Sequence, residues 1–321
     1  PFAGALIDST QALELNTLPS SAVIIGAGAV ALEFASLWNA AGCEVTLLIR
    51  KDRVLSTWER RASMTLTREL KRRGVNVIAR TAVDRVDTGA NLGATVHYRQ
   101  GDSDEDRTAY GEVVLAAIGR VPNTDADWFR SSGLKLDERG YVTVDGYGRT
   151  NLDGVWALGD ITPGHALAHR AFEQGITIAE KIAGADPKPV LDDTVPQVVF
   201  SFPEAASVGL TLDQAKARED VVEPKETAYP MLSNARMLMS GEGGSMTVVS
   251  GAFANNPDMQ VVLGVHIVSP IASDLIAEAE QLVGNRVPLA DAARLIHPHP
   301  TFSETLGEAL LKADGRPLHT R

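Results

Sequence analysis

Apolar residues fall into two rhythms along this chain. From Ser21 to about Ile118, unbroken apolar runs alternate with stretches of helical spacing. Ala22–Ile25, Val45–Ile49 and Val113–Ile118 are continuous runs, which suits strands buried on both faces of a parallel sheet. Between them Leu32, Phe34, Ala35 and Trp38 recur at helical spacing. Glu59–Arg73 is an amphipathic helix with Leu66 and Leu70 one turn apart, closed by Gly74. Val75–Ala79 restarts a strand, Val83–Tyr110 is hairpin-like, and Gly101–Arg107 is a charged loop. Together these predict a complete three-layer α/β unit over about residues 10–118. Residues 1–20 read as an irregular lead-in with a short helix at Ser9–Leu15.

After residue 118 the rhythm changes. Val155–Asp160 reads as a strand running into a glycine and an acid. Ala166–Ala183 reads as a long helix, and Ala185–Pro196, with Pro187, Pro189 and Pro196, as a linker. Strands then follow at Gln197–Phe202, Gly244–Val249 and Val261–Val268, with helices at Ser273–Val283 and Leu289–Leu295. That order predicts an antiparallel sheet with helices on one side, an α+β domain.

Gly26-Ala27-Gly28-Ala29-Val30-Ala31 stands between the first strand and the first helix. A dinucleotide site explains each choice. Gly26 allows the tight turn, Gly28 lets a pyrophosphate approach the backbone, and Ala31 keeps the helix close to the sheet. The helix N-terminus offers free N–H groups and a positive dipole end. Glycines between a strand and a helix can also be plain turn chemistry, but here the order is strand, glycines, helix and then a second apolar strand, Val45–Ile49. At the end of that strand an NAD site expects a carboxylate for the ribose hydroxyls. This chain has Ile49 there, followed by Arg50, Lys51 and Arg53, which suits a 2′-phosphate or a solvated basic turn.

Composition narrows the field. Thirty basic against 41 acidic residues give a net charge of −11, which disfavours nonspecific nucleic acid or anionic membranes as partners. No apolar stretch reaches the ~18–20 uncharged residues of a membrane span. The single cysteine, Cys43, excludes an intrachain disulfide framework, fits a reducing cytoplasm and reads as a buried filler without a catalytic role. No metal-ligand spacing is evident. Asp160, at a strand end before a Gly-Pro loop, suits ribitol or ribose hydroxyls, or simply a turn.

Several stretches, in order along the whole chain, resemble one family: GAGAVALEFASLW, AAIGRVPNT, VWALGDITPGHALAHRAFEQG, FPEAASVGLT, GVHIVSPIASDLIAEA and HPHPTFSE. The family is the FAD-dependent pyridine nucleotide-disulfide oxidoreductases, with the dihydrolipoamide dehydrogenases the most similar branch. The resemblance implies a Rossmann-like three-layer NAD(P)-binding domain at 1–118, the remaining segment of an FAD domain at 119–190, and an α+β interface and dimerisation domain at 191–321. It implies FAD and NAD(P) as cofactors and a homodimer acting on a dithiol such as a lipoyl group, in the cytoplasm. A 2-oxo acid dehydrogenase complex would be a partner.

Roles for single residues follow from the same resemblance. Gly26–Glu33 would hold the nicotinamide dinucleotide, with Val83 and Gly119 lining that site. Asp160 would bond the ribityl chain of FAD, and Ala166, Leu167, Ala168 and His169 would run beside the flavin. Glu33 matches a carboxylate that pairs with a lysine beside the flavin ring. His299 would be the acid–base for the dithiol, oriented by Glu304, used at the partner subunit's flavin. The family's FAD fingerprint, redox-active cysteine pair and lysine are not among these residues. The expectation is that they lie upstream and that this stretch alone is inactive.

The tail, ALLKADGRPLHTR, lacks the extra cysteines of mercuric and large thioredoxin reductases, and His297-Pro298 resembles the dihydrolipoamide dehydrogenase form. The Arg50 region instead resembles NADPH-using reductases of other low-molecular-weight disulfides. A third reading is a dinucleotide-binding and dimerisation module without catalysis. Thr301-x-x-Glu304 also has the spacing of a capping box, which need not exclude a His299 contact because a carboxylate has two oxygens.

Overall fold

A computed structural model describes residues 4–89 and 93–320; the opening Pro1-Phe2-Ala3 lies outside them. The chain divides into two units, residues 1–119 with 198–321, and residues 120–197.

The first part of the larger unit contains β1 (Leu6–Ile7), α1 (Ser9–Leu13), β2 (Ser21–Ile25), α2 (Ala29–Ala40), β3 (Glu44–Ile49), α3 (Arg60–Arg72) and β4 (Asn76–Ala79). It continues with β5 (Thr81–Thr88), β6 (Ala94–Gln100), β7 (Arg107–Gly111) and β8 (Val113–Ala116). Among the described residues the parallel sheet has the order β1-β8-β2-β3-β4, and β5-β6-β7 form a separate antiparallel sheet. The apolar runs are strands with both faces covered. Ala22 and Ile24 pack with Leu32, Ala35, Trp38 and Leu66 of α2 and α3. Val23 faces the other way, onto Val96 and Tyr98 of the β5–β7 layer. Burying side chains of this size is worth about 1.5–3 kcal/mol each, which holds the three layers together.

The structure lengthens and trims the sequence reading in places. β1 falls inside the stretch read as irregular. Two residues on a sheet edge carry too little pattern to announce a strand, although Leu6 and Ile7 pair with Val114 and Leu115. The hairpin-like stretch is a three-stranded meander. Glu59 caps α3 through both carboxylate oxygens, onto the N–H groups of Arg61 (2.6 Å) and Ala62 (2.7 Å).

The second part contains β9 (Gln197–Val199), β10 (Glu204–Gly209), α6 (Leu212–Ala217), β11 (Val221–Pro230), α7 (Ala235–Ser240), β12 (Ser245–Phe253) and β13 (Asn256–Ser269). Helices α8 (Ala272–Gly284), α9 (Leu289–Ala292) and α10 (Glu304–Ala313) follow. The antiparallel sheet has the order β11-β12-β13-β10-β9. Met246, Val248 and Ile267 point to Leu275, Ile276 and Ala279 of α8 and to Leu306 and Leu310 of α10. Helices on one side do not complete the description, because α3 of the first part packs on β12 and β13.

The neighbouring groups are polar on α3 (buried Glu59, Ser63, Thr65 and Glu69) and on the sheet (buried Ser207, Thr247 and His266). Ser207 Oγ lies 2.7 Å from His266 Nδ1, and His266 Nε2 lies 3.2 Å from the Leu210 carbonyl. Complete burial drives the His266 pKa down, so the ring is neutral. Hydrogen bonds join the two parts elsewhere. The N–H of Phe200 donates to Glu33 Oε1 (3.0 Å) and that of Phe202 to Ser36 Oγ (3.1 Å).

The smaller unit holds α4 (Asp127–Ser132), a 3₁₀ turn at Gly159–Ile161 and α5 (Ala168–Ile182). Val155–Leu158 is not a strand: a single bridge, Arg149 to Trp156, is its only ladder contact among the described residues. Short apolar runs are compatible with a strand, yet a strand also needs a neighbour to accept its backbone groups. The proline-rich stretch is likewise no free linker. Asp192 pairs with Arg170 (2.7 Å), and the Pro196 carbonyl lies 2.7 Å from His169 Nε2.

Candidate active site

The glycine turn lies where β2 hands over to α2. Gly26 has φ +143°, and a Cβ there would collide with the Ala117 carbonyl. Only glycine reconciles this backbone with that neighbour. Gly28 has ordinary extended dihedrals and caps α2 without a side chain; a Cβ on it would meet nothing within 4 Å. Its role is therefore not conformational. It leaves open space in front of the first N–H groups of a twelve-residue helix with no acid in its first turn. That cradle fits the pyrophosphate of NAD(P). Ala31 is fully buried against the sheet, and Gly119 (φ +138°) also has open space at its Cβ position. Val83 sits on β5, packed against the cluster of Val23, Leu48 and Val114.

Arg50 and Lys51 are exposed directly after β3. Arg53 is occupied locally, pairing with Asp52 (2.8 Å) and donating to the Ser56 carbonyl (3.2 Å). A 2′-phosphate would accordingly fall to Arg50 and Lys51. Glu33, in the second turn of α2, uses Oε1 for the Phe200 N–H, as described above.

The second cluster stands at the start of α10. His299 Nδ1 lies 2.8 Å from Glu304 Oε1, and the N–H of Thr301 donates to Glu304 Oε2 at 2.7 Å. Only half of the capping box forms. The cap position is Ser303, Glu304 is the first helical residue, and the Thr301 hydroxyl turns to the Pro298 carbonyl (2.7 Å). Both anticipated contacts of Glu304 coexist, one per oxygen. The His299 side chain is 74% exposed, so its Nε2 edge is open to an incoming group. Burial pushes the Glu304 carboxyl up, but the Thr301 N–H and the His299 bond outweigh it, and the net pKa is lowered. Glu304 is thus an anion at neutral pH, able to fix one imidazole tautomer and to stabilise its cation.

Asp160 lies in the smaller unit, exposed in the 3₁₀ turn that Gln174 ties to α5 through the Gly159 N–H (2.9 Å). Ala166 and Leu167 precede α5 and Ala168 and His169 open it; three of the four are exposed and Leu167 is half-buried. An exposed acid and an exposed helix start fit one wall of a flavin site.

Among the described residues no group of three or more His, Cys, Asp or Glu is placed to hold a metal, and no helix is long and apolar enough to cross a membrane. Cys43 is buried, with its thiol pushed up to about 11 by burial, Glu112 and Glu44. It stays protonated and is a poor nucleophile. A cavity of about 460 Å³ between α3 and the β11–β12 edge, lined by Arg61, Thr65 and Tyr229, contains neither the glycine turn nor His299.

The chain belongs to the pyridine nucleotide-disulphide oxidoreductases. The family profile of that description matches residues 2–175, and the profile of the family's dimerisation domain matches residues 195–310. A dihydrolipoyl dehydrogenase from Cupriavidus necator is 36% identical over 314 residues, covering 97% of this chain and 64% of the relative. One from Geobacillus stearothermophilus is also 36% identical, covering 99% and 66%. The crystal structure of LpdA from Mycobacterium tuberculosis superposes with a TM-score of 0.83 at 28% identity, covering 96% of this chain and 64% of that one. The chain therefore spans about two thirds of the length of the proteins it matches.

Proposed function

We propose that this chain supplies the NAD(P) site, one wall of the FAD site and the acid–base pair of a homodimeric, dihydrolipoamide dehydrogenase-like flavoprotein. Such an enzyme moves electrons between a dithiol and NAD(P). The observation that carries the reading is the 2.8 Å bond between His299 Nδ1 and Glu304 Oε1, on a ring whose other edge is open.

With Glu304 accepting at Nδ1, the proton of the neutral ring sits there and Nε2 carries the lone pair. Nε2 takes the proton of a substrate thiol, and Glu304 stabilises the imidazolium that results. The thiolate then attacks one sulfur of a cysteine disulfide, displacing the other as thiolate. The second substrate thiol, giving up its own proton, attacks the substrate sulfur of that mixed disulfide and expels the cysteine as a thiolate, so the dithiol loses two electrons and two protons. Those cysteines are not among the 321 residues, whose only cysteine is Cys43. Gly28 and the start of α2 would hold the dinucleotide's pyrophosphate and Asp160 the flavin ribityl hydroxyls; FAD, when bound, would supply the two-electron redox chemistry between the cysteines and the nicotinamide. A lipoyl group of a 2-oxo acid dehydrogenase complex is the dithiol in this reading, and the reducing cytoplasm its compartment.

Exposed Arg50, directly after the strand end where a carboxylate would mark NAD, favours a second reading: an NADPH-dependent reductase of another low-molecular-weight disulfide. The test of the main reading uses the full-length flavoprotein that contains this chain. His299→Ala should lower dithiol turnover by ~10²–10⁴-fold while nicotinamide-driven reduction of a small quinone persists. Equal loss of both reactions would sink the assignment.

A further inference from the structure

A second imidazole–carboxylate pair lies two residues before His299. His297 Nε2 is 2.8 Å from Glu278 Oε1 on α8. The His297 side chain is 9% exposed and that of Glu278 35%. A carboxylate in hydrogen-bond contact with the ring favours its charged form, the imidazolium. α10 is bare where the ring lies: a Cβ on Gly307 would stand 2.5 Å from His297 Nδ1. Gly307 is three residues after Glu304, on the same side of the helix. The ring is therefore wedged between α8 and the turn of α10 that carries Glu304, at the root of the loop from which His299 projects.

We propose that His297 is a positioning residue for the His299–Glu304 pair, a charged strut clamped by Glu278 that fixes the loop and the first turn of α10 relative to each other. The proposal rests on the acid–base reading of His299 given above. The charged groups facing His297 are Glu278 from α8 and Glu304 from α10. The Glu278 hydrogen bond raises the His297 pKa, burial opposes it, and the Glu278 charge, the Leu295 carbonyl and Glu304 add to the rise. The strut is then complete below the ordinary histidine range and is lost as pH climbs through the raised value.

Glu278→Gln tests this. Gln keeps an acceptor for His297 but removes the charge, so the ring should lose its proton at a lower pH. Nitrogen-15 imidazole spectra of the 321-residue chain follow both rings without any turnover. The His299 resonances should change in step with the titration of His297, and Glu278→Gln should move both changes to lower pH together. His299 signals that stay fixed while His297 titrates would overturn the proposal.

In the full-length flavoprotein, Glu278→Gln should shift the alkaline loss of dithiol kcat to lower pH by about one unit, a typical scale for one ion-pair partner. KM should change less than twofold. His297→Gln, which can still donate to Glu278, should retain several-fold more kcat than His297→Leu at matched melting temperature. Equal activity of those two variants would reduce His297 to ordinary packing. If His299→Ala keeps full dithiol turnover, the acid–base reading fails while the resonance test still stands on its own.

Discussion

Two helix starts stand at the proposed sites of the larger unit, and they are built in different ways. α2 begins on Gly28, with no side-chain cap and no acid in its first turn. α10 begins on Glu304, which brings its own carboxylate to the backbone N–H of Thr301. The positive end of α2 is left unneutralised and open, as an external anion requires. That of α10 is answered from within, and the same carboxylate orients a histidine. Neither helix has a side-chain cap bond at its N-cap residue, so the difference lies in the first turn: α2 has no acid there, whereas α10 has one whose two oxygens hold His299 and the Thr301 N–H.

The comparison breaks most severely at Gly26. Gly26→Ala forces a Cβ into the Ala117 carbonyl at a positive φ. It should cost about 3 kcal/mol or more, read as a large fall in melting temperature together with loss of nucleotide binding. A sharper experiment makes α2 resemble α10. Gly28→Asp introduces a carboxylate where there is free space and a favourable cap position. NADPH affinity should fall by ~10-fold or more through charge repulsion, whereas stability should hold or rise by about 0.5–1 kcal/mol. Calorimetric titration beside a melting curve separates these outcomes; unchanged affinity would mean that the pyrophosphate binds elsewhere.

The smallest effect belongs to Glu304. Its pKa is lowered on folding, so its contribution is present above the unfolded carboxylate value and is lost as pH falls through the folded one. Glu304→Gln keeps the bond to Thr301 and should cost only ~0.3–1 kcal/mol at neutral pH. It should also flatten the acid limb of the stability curve. A wild-type acid limb in the variant would mean that the carboxylate contributes nothing there.

Local geometry was legible in the sequence and distant pairing was not. The glycine spacing from Gly26 to Ala31 and the two-oxygen role of Glu304 could be read because each rests on residues a few positions apart. β11 went unread because VVEPKETAYP contains two prolines. Prolines are tolerated there because β11 is an edge strand, and Pro224 falls where the register slips between Val222 and Lys225. Val155–Leu158 misled in the other direction, apolar enough for a strand yet with a single bridge. The Glu33–Phe200 bond and the Glu278–His297 pair gave no signal, since nothing local marks a partner that folding alone brings near.

The bond between Glu33 and Phe200 joins positions 167 residues apart. On a ribosome adding ~5–20 residues per second, Glu33 waits on the order of ten seconds for its donor. The parallel sheet, whose strands all lie before residue 119, can form during that interval. Its α2 and α3 faces cannot be covered until the antiparallel strands emerge. Nascent chains halted before Phe200 should therefore present those faces to chaperones, and release of the finished chain should end that exposure.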